Sequence, residues 1–250
     1  MKLWRREGGG GAGPRLVLLH GLGANADVWL PLEKHLSGWT GKWLMADLRG
    51  HGRSPHQAPY GYAGHAADVA GVLAQDEEVA IVGHSMGGVI GMALGTGWYG
   101  VRVRKVIAFG VKIRWSAAEV GRFQSLARAP VRWFDGRAAA AERYLTVSGL
   151  SGLADPAAAI AASGVREENG RFRLAADPMV NAAVGPEVAP FVKAMNCPLR
   201  LAAGSKDPMV SVADMAPLDA RAHLFEGAGH NLHVERPAEL WRFIQAELES

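Results

Sequence analysis

The sequence predicts an α/β fold, with a mainly parallel sheet covered by helices on both faces. Three observations support this prediction: short apolar runs that are continuous rather than alternating, a glycine or small polar residue at the end of each run, and helix-like segments between the runs. Continuous Val, Ile and Leu runs are typical of strands buried on both faces. Their alternation with helices is typical of a parallel sheet between two helical layers.

Six strand-like runs and five helix-like segments account for most of this pattern. The runs begin at Arg15, Trp43, Val79, Val103, Leu199 and Ala222, and a Gly-rich loop at 8–13 follows one further short strand. Helices are predicted over 26–36, 60–75, 86–97, 211–218 and 238–248. In the last of these, apolar residues recur at helical spacing on one face.

The alternation stops between about Trp115 and Gly185. This stretch is rich in Ala, Arg and aromatic residues, it shows no strand-like period, and helices are predicted over 117–127, 137–146 and 156–162. An insertion of roughly 70 residues into a regular α/β fold is more often a lid than a bare loop. We therefore expect a core domain over 1–114 and 186–250 and a helical cap over 115–185.

Composition restricts the possible functions. The chain has 250 residues, of which 49% are hydrophobic, so it can bury a large core as one domain or one domain with an insertion. Its 27 basic and 24 acidic residues give a net charge of only +3, which does not favour nucleic acid as a partner. A single cysteine, Cys197, allows no internal disulfide and no cysteine-rich metal site. We expect a cytoplasmic protein without metal, cofactor, signal peptide or membrane span.

The stretch "GHSMG", Gly83 to Gly87, fits the pattern G-x-S-x-G between a predicted strand and a predicted helix. A strand that turns directly into a helix strains the residue at the turn, and side chains two positions away on either side would collide, so both must be small. Ser85 is therefore predicted to be a nucleophile held clear of the backbone. The alternative is a phosphate-binding loop, but this stretch lacks the Gly-Lys-Ser/Thr ending that such a loop needs.

A serine nucleophile needs a base on a loop at the carboxyl edge of the sheet. The stretch "EGAGHNLHVERP" supplies His230 directly after the last strand-like run. His84, beside the serine, is expected to point into the core, and His233 is the closest rival but is expected to begin a helix. His230 is the predicted base.

The imidazole of a triad needs a carboxylate that fixes its tautomer. Asp207, in "AAGSKDPMV", lies on a loop just past a strand, although a solvated turn aspartate is the simpler interpretation of Lys-Asp-Pro. The other strand end where such an acid could lie is followed by "GVKIR", which has none. The chain order Ser, Asp, His also favours Asp207, and Asp214 is the next candidate.

Acyl transfer also needs donors for the oxyanion. The backbone N–H of Met86, at the start of the helix, is one predicted donor. The loop "LLHGLGANADVW" supplies the second through the N–H of Leu22, and its small residues allow close approach to a substrate. His20 is expected to organise this loop rather than to take part in catalysis.

Together these motifs resemble those of the α/β-hydrolase superfamily, in its branch with helical caps. The matching stretches are "HGLG", "DLRGHGRS", "GHSMGG", "GSKDPMV" and "GHNLHVERP", which span Leu16 to Glu235. The resemblance implies a mostly parallel sheet of about seven or eight strands with one antiparallel strand, the Ser85–Asp207–His230 triad, and no cofactor. The short segment before Arg15 implies that the first hairpin strand of the family is missing.

The resemblance also narrows the reaction. A serine nucleophile disfavours the dehalogenase and epoxide hydrolase branches, which use aspartate there. Carbon–carbon bond hydrolases use the same triad, but they usually have Asn before the serine and Trp after the histidine, where this chain has His84 and Asn231. Hydrolysis of a carboxylic ester, lactone or thioester is therefore expected. Carbon–carbon bond hydrolysis and a non-catalytic ligand receptor on the same fold remain as alternatives.

Two features of the cap bear on the substrate. Its aromatic residues are expected either to close an acyl pocket or to form the cap's own core: Trp115, Phe123, Trp133, Phe134 and Tyr144. Residues 101–143 carry ten basic and three acidic side chains, an excess of seven positive charges. Such a run is usually a solvated surface, but it also fits an anionic or carrier-bound small-molecule ester, because arginine pairs bidentately with carboxylate or phosphate.

Overall fold

The structure is a computed structural model that describes residues 1–74 and 77–249. Seven strands form one sheet in the order β1-β3-β2-β4-β5-β8-β9, and two more form a separate hairpin, β6-β7. The strands are β1 Arg5–Gly9, β2 Gly13–Leu19, β3 Gly41–Ala46, β4 Glu78–His84, β5 Arg102–Phe109, β6 Val165–Glu168, β7 Arg171–Leu174, β8 Leu199–Gly204 and β9 His223–Phe225.

The large sheet confirms the predicted α/β class. Strand β1 pairs antiparallel with β3, and the other five pairings are parallel. Each of the six runs predicted from sequence lies in one of the parallel strands. Because parallel strands end at one edge, the loops after β2, β4, β8 and β9 meet there. This edge carries all the residues predicted to act in catalysis.

Ten α-helices and three 3₁₀ turns complete the described chain. The helices are α1 Leu30–Glu33, α2 Tyr62–Ala70, α3 Met86–Gly95, α4 Ala117–Ala127, α5 Arg137–Val147, α6 Ala159–Ala162, α7 Ala189–Ala194, α8 Val212–Met215, α9 Leu232–Glu235 and α10 Pro237–Glu249. The 3₁₀ turns are Ala26–Trp29, Leu36–Gly38 and Pro178–Ala183. Among the residues that the structure describes, no helix has the length and apolar character needed to cross a bilayer.

The sheet divides the core into two apolar layers. Successive residues of β2 face opposite ways: Leu16 and Leu18 pack with α1 and α10, while Val17 and Leu19 pack with α2 and α3. All four are fully buried. This two-sided burial explains why the apolar runs are continuous rather than alternating.

Several predicted helices are shorter than expected. The segment 60–75 is helical only over α2, and its predicted end at Gln75 lies outside the described residues, as does Ser250 at the end of the predicted core domain. The segment 26–36 is broken into short turns, with Pro31 near the start of α1. In 156–162 the Asp155 side chain accepts from the N–H of Ala157 and holds a turn, so α6 begins only at Ala159.

The insertion is not purely helical. Strands β6 and β7 form an antiparallel hairpin where no strand was predicted. Its turn is Asn169-Gly170, with φ of 52° and 75°, the left-handed pair that suits a two-residue hairpin. The elements from α4 to β7 lie outside the seven-stranded sheet. The division into a core (1–114 and 186–250) and a cap (115–185) stays a prediction.

Candidate active site

Ser85 lies at the sharp turn between β4 and α3. Its φ of 50° and ψ of −116° are unusual for a residue with a side chain. A Cβ at Gly83 would lie 2.4 Å from the Gly87 carbonyl oxygen, and a Cβ at Gly87 would lie 2.2 Å from the Leu19 carbonyl oxygen. Both glycines are therefore required by close backbone contact. The side chain that the turn presents at the sheet edge is half-buried.

His230 and Asp207 are joined by a short hydrogen bond. The distance from His230 Nδ1 to Asp207 Oδ2 is 2.7 Å, and the carboxylate is fully buried while the imidazole is partly exposed. The loops that carry them are also joined, because the Lys206 N–H donates to the Ala228 carbonyl at 2.9 Å. The order in the sheet, β8 beside β9, brings these two residues together across 23 positions of sequence.

The end of β5 links the serine to the histidine. The Ser85 N–H donates to the Phe109 carbonyl at 2.9 Å. At the next residue, Gly110, a Cβ would lie 3.2 Å from the His230 ring. Gly110 has a φ of 65°, so glycine is favoured both by conformation and by the close approach of the imidazole. One strand end therefore contacts the serine backbone and the imidazole face.

His84 points into the core, as the sequence predicted. Its ring lies 4.6 Å from the ring of His230 and 4.6 Å from the ring of His233, and Nε2 is 3.1 Å from the His230 carbonyl oxygen. A carbonyl only accepts, so Nε2 carries the hydrogen. Burial, with smaller effects of His230 and His233, holds the pKa of His84 well below its usual range. His84 is therefore a neutral donor beneath His230.

The two predicted oxyanion donors flank the serine. As the first residue of α3, Met86 has an N–H with no acceptor inside the helix. The loop that carries Leu22 lies against the serine, since a Cβ at Gly21 would be 3.3 Å from the Ser85 Cβ. The positions therefore fit the prediction that Leu22 and Met86 serve one oxyanion.

Two buried histidines hold the loop on either side of Leu22. His20 Nε2 accepts from the Leu48 N–H at 2.9 Å, so Nδ1 carries the hydrogen and donates to the Gly21 carbonyl at 2.8 Å. His51 Nε2 accepts from the Gly23 N–H at 3.2 Å. Burial lowers the pKa of each of these two imidazoles to about 3, so both are neutral. His20 organises the loop, as expected, and His51 has the same role.

The predicted aromatic set does not form one cluster. Trp115 packs edge-on against Phe123 with ring centroids 5.3 Å apart. Phe134 pairs with the hairpin through backbone hydrogen bonds to Phe172, and Trp133 lies under the guanidinium of Arg171. The fifth residue, Tyr144, is buried and accepts a hydrogen bond from Asn25 Nδ2 at 3.0 Å. Contact of these five side chains with a substrate stays a prediction.

Three residues that contact the site have no role assigned to them in the analysis of the sequence. His51 lies within the matched stretch "DLRGHGRS", and Asn231 and Glu235 lie within "GHNLHVERP". Asn231 Nδ2 donates to the Gly149 carbonyl at 2.9 Å, which ties the histidine loop to the insertion. Motif membership was the signal that could have found all three. No cluster of three or more His, Cys, Asp or Glu side chains within 1–74 and 77–249 is arranged to hold a metal ion.

Comparison with known proteins identifies relatives over different lengths of the chain. A profile described as "Alpha/beta hydrolase family" matches residues 16–243. The chain is similar to the sn-1-specific diacylglycerol lipase ABHD11 of Xenopus tropicalis, with 39% identity over 89 residues, which are 34% of this chain and 28% of that protein. It is also similar to the pimeloyl-[acyl-carrier protein] methyl ester esterase of Edwardsiella ictaluri, with 44% identity over 82 residues, 32% of this chain and 30% of that protein.

These curated relatives are matched over less than a third of their own length. Among solved structures, that of E-2-(acetamidomethylene)succinate hydrolase superposes with a TM-score of 0.83 at 23% identity. The superposition covers 99% of this chain and 95% of that chain. At this identity the likeness shows a shared fold.

Proposed function

The chain belongs to the alpha/beta hydrolase family, and from this premise we propose that it is a cytoplasmic serine hydrolase that cleaves a carboxylic ester, lactone or thioester. The observation that carries the proposal is the 2.7 Å bond from His230 Nδ1 to the buried Asp207, at the sheet edge where Ser85 is presented. The names of the matched relatives, a lipase and a methyl ester esterase, favour the same reaction class.

The arrangement supports a two-step acyl transfer. Ser85 Oγ attacks the substrate carbonyl carbon while His230 Nε2 takes its proton. The N–H groups of Leu22 and Met86 hold the oxyanion that forms. His230 then passes the proton to the leaving group, and the acyl group stays on Ser85. His230 then takes a proton from water, whose oxygen attacks the acyl carbon. The bond to Ser85 Oγ breaks, the acid is released, and His230 gives the proton to Ser85 Oγ.

Asp207 acts through His230. Its buried carboxylate accepts the Nδ1 hydrogen, so Nε2 is left unprotonated and free to act as the base. Once Nε2 takes the serine proton, the same carboxylate stabilises the imidazolium. The neutral His20 and His51 hold the loop on either side of Leu22. Because neither imidazole is charged, they contribute to oxyanion stabilisation by positioning the N–H donor and not as cations.

A substrate panel tests the reaction class. Purified protein is assayed with p-nitrophenyl esters, lactones, acyl-thioesters and a vinylogous diketone, and it is labelled in parallel with a fluorophosphonate. We expect labelling and turnover of at least one ester, lactone or thioester. Turnover of the diketone alone would instead assign carbon–carbon bond hydrolysis. Absence of labelling with all substrates inert would indicate a binding protein.

The oxyanion loop is tested by comparing Leu22→Pro with Leu22→Ala. The proposed donor is a backbone N–H, which alanine keeps and proline removes. We expect the alanine variant to retain most of the activity and the proline variant to lose about a hundred-fold in kcat. Circular dichroism and Tm of both variants control for distortion of the loop. Equal kcat values for the two variants would place the donor elsewhere.

The surface of α4 supports a further part of the proposal, that the substrate is anionic or carried on an acidic partner. Within the described chain, Lys112 pairs with Glu119 and Arg114 with Asp214, but the five basic residues of the stretch 115–143 make no ion pair. These five are Arg122, Arg128, Arg132, Arg137 and Arg143. Helix α4 buries none of its side chains, so its arginine faces solvent. The acyl-carrier substrate in the name of one relative fits this surface.

Salt dependence tests this part. Exposed charges are screened within about 8–10 Å at ordinary salt, so kcat/KM for mono-p-nitrophenyl adipate should fall about threefold or more between roughly 20 and 300 mM NaCl. The value for p-nitrophenyl hexanoate, a neutral ester with the same acyl chain length, should change little.

Charge reversal supplies the matched control for this test. The triple variant Arg122→Glu, Arg128→Glu and Arg132→Glu should abolish the difference in salt dependence between the two esters. The control variant Arg102→Glu, Arg221→Glu and Arg242→Glu reverses the same number of exposed charges outside the insertion. It should keep the difference in salt dependence. Equal salt dependence of both esters in the unmodified protein would show that the arginines are only solvated.

A further inference from the structure

Glu235 binds the backbone on both sides of His230. Its Oε2 accepts from the Gly229 N–H at 2.7 Å, and its Oε1 accepts from the Asn231 N–H at 2.9 Å. One carboxylate thus spans the residue before the histidine and the residue after it. Hydrogen bonds to a charged acceptor are about twice as strong as neutral ones, so this pair fixes the local chain firmly.

Helix capping accounts for only half of this arrangement. Asn231 is the N-cap of α9, and the bond from its N–H to Glu235, four residues on, resembles the capping box, in which a glutamate three residues on accepts from the N-cap N–H. The second bond, to Gly229, lies outside the helix and adds nothing to its cap. The carboxylate also lies close above Gly229, because a Cβ there would lie 3.0 and 3.1 Å from its two oxygens.

The His230 carbonyl, which shares a peptide group with the Asn231 N–H, is held from the opposite side. His84 Nε2 donates to the His230 carbonyl at 3.1 Å, and the two rings pack edge to face. The side chain is held by Asp207. The histidine is therefore fixed at its two flanking N–H groups, at its own carbonyl and at its ring. Such fixation matters because a displacement of about 1 Å can cost a hundred-fold in rate.

We propose that Glu235 is a positioning residue, which holds the backbone around His230 so that its imidazole faces Asp207 and Ser85 together. The inference rests on the proposed function, in which His230 is the base. Glu235 itself touches neither the substrate nor the reacting atoms in this role. His84 completes the same support from beneath the ring.

The test compares Glu235→Gln and Glu235→Ala with the parent protein. The glutamine keeps one acceptor oxygen and the alanine keeps none, so kcat should fall about tenfold for alanine and by less for glutamine. KM for the same p-nitrophenyl ester should stay within about twofold. Glu239→Gln, an exposed glutamate in the first turn of α10, is the matched control and should behave like the parent.

A low-field proton NMR resonance supplies a readout independent of turnover. The Nδ1 hydrogen of His230 in its bond to Asp207 should give such a resonance in the parent and in Glu239→Gln. In Glu235→Ala it should broaden or disappear while the remaining spectrum stays that of a folded protein. If Glu235→Ala does not fold, Glu235→Gln carries the test by both readouts.

The outcomes distinguish failure of the proposed function from failure of the positioning role of Glu235. Parent protein without phosphonate labelling or turnover would refute the proposed function, and the resonance would still report whether Glu235 holds the histidine. An active parent, with kcat and the resonance unchanged in both Glu235 variants, would overturn the positioning role. So would a loss of kcat that disappears at a lower temperature where the variant is fully folded.

Discussion

Ser85→Ala is expected to abolish phosphonate labelling and to lower ester turnover by about a million-fold. The Ser85 hydroxyl is the only proposed nucleophile. Without it no acyl-enzyme can form, even though the oxyanion donors and the His230 imidazole stay in place. The fold should be preserved, because alanine removes a single oxygen from a half-buried side chain. The measurement is kcat for the best ester of the panel, with Tm as the check on folding.

Two comparisons make the Ser85 result specific. Ser125→Ala, on the exposed surface of α4, should leave kcat unchanged. His230→Ala should be nearly as damaging as Ser85→Ala, and the double variant little worse than either, because the two side chains act as one unit. Turnover near that of the parent in Ser85→Ala would refute the mechanism.

Asp207→Asn is expected to lower kcat on the order of ten thousand-fold with the fold intact. The reason lies in the second oxygen of the carboxylate: Oδ1 accepts from the Met209 N–H at 2.9 Å. In the variant the amide oxygen would keep that bond, so the NH₂ group would face His230 Nδ1. Nδ1 must then accept, the ring hydrogen moves to Nε2, and Nε2 can no longer take the serine proton.

Asp214→Asn is the matched control for the second prediction. Asp214 was the next candidate from sequence, but its carboxylate pairs with Arg114 at 3.0 Å on the surface. Its replacement should change kcat by less than about twofold. A loss below tenfold for Asp207→Asn would mean that another carboxylate orients the histidine.

The parts of the site that could be predicted from sequence are those determined by short-range chemistry. The spacing of Gly83, Ser85 and Gly87 follows from contacts within one turn, and the structure shows the expected collisions at both glycines. The fold class could also be predicted, because a strand buried on both faces has apolar residues at consecutive positions. The neighbouring loops of Asp207 and His230 followed from the rule that parallel strands end at one edge.

Two of the missed residues, His51 and Asn231, have side chains that bind distant backbone. His51 reaches Gly23 across 28 positions, and Asn231 reaches Gly149 across 82. No local period or propensity encodes such bonds. The hairpin β6-β7 is a different case, because Asn169-Gly170 is a strong turn signal. The prediction of helices alone followed the Ala- and Arg-rich composition of the stretch and did not use this turn signal.

The protonation of buried histidines in and around the site is coupled to folding. His20, His51, His65 and His233 are all buried, and burial lowers the pKa of each to about 3. In the unfolded chain each should titrate near 6.5. Between these values the unfolded state binds more protons than the folded state, so stability is complete above about pH 6.5 and is lost as the pH falls towards 3. At pH 5 each such histidine lowers the free energy of unfolding by about 2 kcal/mol.

This linkage predicts that stability begins to fall at a higher pH than the titration of carboxylates alone would give. Urea unfolding should show a steep loss of stability between about pH 6.5 and 5, above the range where most carboxylates titrate. His65→Leu, at a site where neither ring nitrogen has a hydrogen-bond partner among the described residues, should make that loss shallower by one proton, whereas His223→Leu on the surface should not. A flat profile would contradict the linkage. The neutral imidazoles of His20 and His51, which hold the loop that carries Leu22, are therefore also expected to make the folded protein less stable in acid.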